Sequence, residues 1–184
     1  KAAKAAAVKK AEPKPEQLKA VYEPIVAKFE TYIKSNQGHV TAVEGALLVS
    51  QAIEEYKDDE QILKVLQLGV QGADKSNFLY GVAQTRVGEL LEKQDKCTEA
   101  AKAWEDIMNV KTHAYMAESL RLKSGVCYEK VGMLDKAEQL YKKVVDASPD
   151  TSQGRMAKKF LMYIKYKKTK TSKKTDDTSA MNSK

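Results

Sequence analysis

Two cysteines, two histidines and the acid pairs Glu54-Glu55 and Asp58-Asp59 are the residues in this chain whose types most suggest chemistry. A metal centre needs ligands clustered at short spacing, and His39 and His113 stand far apart with no cysteine or carboxylate near either at ligand spacing. Both fall between expected helices and read as ordinary surface residues. Glu54-Glu55 and Asp58-Asp59 are neighbours in sequence, but successive helical positions point apart, and the aspartate pair suits the start of a helix. No glycine-rich loop that could cradle a phosphate occurs. These patterns assign no catalytic residue, no metal and no cofactor, and they disfavour an enzyme. Cys97 and Cys127 remain, and what they can do depends on the elements that carry them.

Those elements are helices. After Pro24 no proline occurs until Pro149, so the long middle of the chain can be helical throughout. Of 184 residues, 42% are hydrophobic and 31% charged, a composition that suits one folded unit. The net charge of +7 is uneven. Six lysines in residues 1–20 and seven in residues 165–184 leave the intervening stretch slightly acidic. Both ends are poor in large apolar residues, and the sequence predicts a disordered basic leader over 1–15 and a disordered basic tail over 167–184. No aromatic residue interleaves the lysines of these ends, which disfavours nucleic acid as a partner. The first residue is Lys1, so a signal peptide or membrane anchor upstream would not be seen, and membrane contact is expected only through such an anchor.

The middle of the chain repeats itself. The segment TRVGELLEKQDKCTEAAKAWEDI aligns without a gap on LKSGVCYEKVGMLDKAEQLYKKV. Gly88 matches Gly125, Leu91 matches Tyr128, Ala100 matches Ala137, Trp104 matches Tyr141 and Ile107 matches Val144, each pair 37 positions apart. Small residues on one helix let a second approach closely, and the large ones fill the space beside them. This order of small, large, alanine and aromatic residues resembles the tetratricopeptide repeat, a helix-turn-helix unit. Copies are placed at about 43–76, 81–114 and 118–151. The last has Gly132 at its turn and Pro149 at its end, whereas the middle one has Asp95 and Thr112 there and a longer link to its successor.

The expectation is therefore an all-α, tetratricopeptide-like α-solenoid of antiparallel helix pairs spanning 16–166. An N-terminal packing helix carries Leu18, Val21, Tyr22, Ile25, Val26, Phe29 and Ile33 on its apolar face. A capping helix over 152–166 turns Met156, Phe160, Leu161 and Ile164 inward. Trp104 and Tyr141 read as core. Cys97 opens the second helix of one copy and Cys127 lies late in the first helix of the next, so the two should be close; a disulfide and two half-buried thiols both fit.

In the repeat family the first helix of each pair lines a concave groove that holds extended peptides or a partner helix. The resemblance puts Gln51, Thr85, Glu89, Glu92, Ser119, Leu122, Val126 and Glu129 there, among other positions. Glutamates outnumber lysines at these positions, which implies a mildly acidic groove suited to basic or neutral peptides. The residues with which some relatives clamp a chaperone tail's carboxylate are absent, since Thr85, Glu89 and Val126 occupy those slots. The implied partner is a protein or peptide rather than a small-molecule substrate. The plan of a lysine-bearing leader before helical repeats is similar to bacterial envelope proteins of the ancillary Sec-translocon subunit type, which implies the periplasm, with the cytoplasm as the alternative. A structural scaffold and a basic-tailed surface binder are the rival roles.

Overall fold

The computed structural model describes residues 13–181, so most of the expected leader and the last three residues lie outside it. Among the described residues eight α-helices follow one another: α1 (Pro15–Ser35), α2 (Val40–Glu54), α3 (Asp59–Val70), α4 (Phe78–Lys93), α5 (Cys97–Met108), α6 (Ala117–Lys130), α7 (Leu134–Ala147) and α8 (Ser152–Met181). A short 3₁₀ turn, Lys111–Met116, separates α5 from α6. The fold is all-α, with no strand among the described residues.

Local chemistry sets the helix ends. Pro15 opens α1, where a missing N–H costs nothing. The Asp58 carboxylate accepts the Gln61 N–H at 3.0 Å and caps α3; the Asn77 side chain accepts the Leu79 N–H at 2.8 Å and caps α4. Three turns join the hairpins α2–α3, α4–α5 and α6–α7, and at equivalent places they hold Lys57 (φ 59°), Asp95 (φ 58°) and Gly132 (φ 78°). All three residues are left-handed, a conformation that glycine adopts freely and lysine does not. Asp95 thus does the work of the glycine that the sequence lacks there.

Each helix packs chiefly on its neighbours in the chain, with further contacts from α2 to α4 and from α6 to α8. The aligned residues meet as their types suggest. Gly88 of α4 lies flat against the indole of Trp104 on α5, so that a Cβ there would sit 2.5 Å from Trp104 Cε2. Gly125 of α6 takes the same position under Tyr141 of α7, 2.8 Å from its Cζ by the same measure. In the first hairpin the corresponding residues are Ser50 and Leu66, both fully buried. Trp104 also donates its indole N–H to the Thr85 carbonyl at 3.1 Å, which satisfies its one polar atom.

Four expectations need correction. His113 is not a surface residue: it is fully buried in the 3₁₀ turn, its Nε2 lies 2.8 Å from the Lys75 carbonyl, and its ring fills the space left by Gly81. The extra residues between α5 and α6 form this turn, which buries His113 while Lys111, Thr112, Ala114 and Tyr115 stay exposed. Val21 and Ile25 are 67% and 47% exposed, because α1 buries only the stripe through Val26 and Ile33. Met156 is likewise half exposed. Finally, α8 does not end near Tyr166 but continues to Met181. No proline or glycine interrupts it after Gly154, and Lys167 and Lys168 are not in a loose tail. Lys167 reaches Glu129 at 2.9 Å, and Lys168 reaches Asp135 at 2.6 Å and Glu138 at 2.5 Å.

Candidate interaction groove

The first helices of the hairpins, α2, α4 and α6, carry the expected groove residues, and α8 continues the same side of the stack. Their charges are already spoken for. Glu54 pairs with Arg86, Glu89 with Lys123 at 2.5 Å, Glu92 with Lys130 at 3.7 Å, and Glu129 with Lys167 at 2.9 Å. In every case the acid lies on one of these helices and its cation on the next, so the pairs form a ladder along this side of the stack. Most are partly exposed, and each contributes about 0–1 kcal/mol. The acidity expected from single residues is thereby neutralised within the chain. The spacing of roughly one repeat between partners was present in the sequence, but counting charges position by position does not reveal it.

What remains open on this side is apolar. A cavity of about 460 Å³ lies between α4, α6 and the start of α8. Leu122, Val126, Met156 and Phe160 supply its walls, with Glu92, Ser119 and Gln153 at its polar edge. The structure thus brings together Glu92, Ser119, Leu122 and Val126 from the expected set and adds to them the apolar Met156 and Phe160 and the polar Ser152 and Gln153 of α8. The other four stand outside this cavity. Gln51 is exposed on α2, Glu89 and Glu129 are held in their ion pairs, and Thr85 is half-buried. The Thr85 hydroxyl donates to the Gly81 carbonyl at 2.8 Å and lies 3.6 Å from Met116 sulfur, so it is turned into the stack.

A second cavity of about 410 Å³ opens between α1 and α2, lined by Phe29, Tyr32, Gly45 and Leu48, with Lys28 and Glu44 at the edge. Tyr32 and Leu48 were not singled out from sequence. The available signal was that α1 has more apolar residues than one buried stripe accommodates.

Cys97 begins α5, Cys127 lies near the end of α6, and both are buried. The structure carries them as neighbouring free thiols. Burial, and then the contact with Cys97, push the Cys127 thiol up to about 12, which disfavours the reactive thiolate. Burial raises the Tyr128 phenol to about 12 as well, with the hydrogen bond to Glu105 at 2.8 Å as the second cause. These are properties of a packed interior. Among the described residues no group of three or more histidine, cysteine, aspartate or glutamate side chains could hold a metal ion, and no helix is long and apolar enough to cross a membrane.

Compared with protein-family models and with curated proteins, the chain matches none.

Proposed function

We propose that this chain is a non-enzymatic protein-interaction module of tetratricopeptide-like design, an α-solenoid that holds a peptide or partner helix along α4, α6 and α8. The observation that carries this reading is the apolar cavity at Leu122, Val126, Met156 and Phe160, set beside acids that are already paired. A cavity of about 460 Å³ is large enough for a few apolar side chains of a peptide, and the neutralised rim removes the preference for a basic partner that single residues implied. Recognition in this reading comes from shape and apolar burial. An envelope location is part of the proposal and rests on the likeness of the leader-and-repeat plan alone.

Photo-crosslinking in native cells tests it. A reactive side chain at Ser119, exposed at the cavity edge, should capture a small set of proteins that a probe at exposed Lys143 on α7 does not capture. The capture should weaken with Leu122→Asn. Equal yields from both sites, or no effect of Leu122→Asn, would remove the groove reading.

A further inference from the structure

The outer face of α8 is not used by the groove. Gly154 to Thr175 contains no acidic residue, whereas Arg155, Lys158, Lys159, Lys165, Lys167, Lys168 and Lys170 all lie within it. Lys167 and Lys168 turn back onto the body. Lys158, Lys159 and Lys165 are exposed and make no ion pair with a described residue, unlike the cations of the ladder. Between them Met162 is 73% exposed, Tyr166 61% and Tyr163 49%. Helical spacing sets Met162 and Tyr166 roughly opposite the buried Ala157 and Ile164, so this apolar patch points away from the stack. Lys167 and Lys170 lie over the Tyr163 and Tyr166 rings at 4.5 and 5.8 Å, so charge and aromatic surface share one strip.

From this juxtaposition we infer that the outer face of α8 is a docking surface for an anionic lipid bilayer. The occupant follows from charge complementarity. A helix whose 154–175 stretch carries several cations and no acid is drawn to a negative surface, and exposed methionine and tyrosine side chains gain by entering the region between headgroups and acyl chains. A second copy of the same face would be repelled. A nucleic acid would pair with the lysines but gain little from Met162. The interaction is peripheral and independent of the groove reading, because Met162 and Tyr166 lie outside the cavity.

The test is flotation of the full chain with vesicles of phosphatidylcholine alone and of phosphatidylcholine mixed with phosphatidylglycerol. Binding is expected only to the mixed vesicles, and it should fall steeply as salt is added. Met162→Ser with Tyr166→Ser, which alters no charge, should lower partitioning about tenfold. Lys159→Gln and Lys165→Gln should each lower it about fivefold. All of these positions are exposed, so an unchanged circular dichroism spectrum is expected and confirms that the variants are folded. Absence of binding at low salt would overturn the inference. So would binding indifferent to the Met162 and Tyr166 changes, which would assign attachment to lysines elsewhere. An oligonucleotide that binds the chain more tightly than the mixed vesicles do, and displaces it from them, would overturn it in favour of nucleic acid.

Discussion

Replacing Gly88 with alanine sets two opposing effects against each other, and the structure fixes which one wins. Alanine in a helix interior is favoured over glycine by about 1 kcal/mol. The new methyl group, however, would lie 2.5 Å from Trp104 Cε2 and 2.6 Å from Cδ1, both atoms of one rigid ring with no exposed end that could move aside. Overpacking of this kind costs about 1–3 kcal/mol, and the rigidity of the indole favours the upper end. The net expectation is a loss of about 2 kcal/mol, read as a lower midpoint in urea unfolding followed by far-ultraviolet circular dichroism. The decisive control is the same change in a Trp104→Leu background. There the obstruction is gone and only the helix preference remains, so Gly88→Ala should stabilise by about 1 kcal/mol. The sign should reverse, giving a coupling of about 3 kcal/mol. An equal penalty in both backgrounds, or a stabilised Gly88→Ala with Trp104 in place, would refute the assigned contact between α4 and α5.

Other perturbations test the caps, the turns and the attachment of α8. Asp58→Ala should lower stability by about 1–2 kcal/mol, the sum of a lost helix cap and a partly exposed ion pair with Lys19, whereas Asp58→Asn should keep the cap and cost less than half as much; unfolding curves distinguish the two. Lys57→Gly should raise stability by about 0.5–1 kcal/mol, because it relieves a left-handed lysine, and a lowered midpoint would contradict that turn geometry. Hydrogen bonds from Lys142 and then Lys168 hold the Glu138 carboxyl down to about 2. Because the folded value lies below the ordinary one, its contribution is complete above about pH 4.5 and is lost as pH falls towards 2. Carbon-detected titration should place the Glu138 midpoint near 2, and Lys168→Gln should raise it.

The helix pairs were readable because their packing depends on residue size at fixed spacing. Gly88, Gly125, Trp104 and Tyr141 state in sequence what they do in space, a flat surface on one helix for a ring on the next. Contacts between successive pairs were much less legible. Glu129 looks like one more solvated acid until α8 brings Lys167 across to it, and a count of charges does not contain that distance. The burial of His113 is hidden in the sequence for a related reason. The histidine follows Thr112, which stands where the last copy has its closing proline, and so reads as the start of a link between copies, although its ring packs on Gly81. The length of α8 is hidden by composition, because a lysine- and threonine-rich stretch looks like a tail although no helix breaker follows Gly154. Of the groove, the half on α4 and α6 could be read by analogy between copies, but the walls from Met156 and Phe160 belong to a helix outside the repeat pattern.

Packing that runs mainly between neighbours in the chain has a consequence for how the molecule assembles and comes apart. No late closure between the two ends has to be found by search, so folding can begin at any well-formed hairpin and spread outward, quickly for a chain of this length. The α4–α5 and α6–α7 hairpins, each with a ring seated on a glycine, are the natural starting points. Under tension applied at the termini the order reverses, and α8 is the first piece expected to leave from its end. Its departure would strip two walls from the cavity at Leu122 and Val126 while leaving the hairpins folded, so a pull on the C-terminus would dismantle that cavity long before it unfolded the protein.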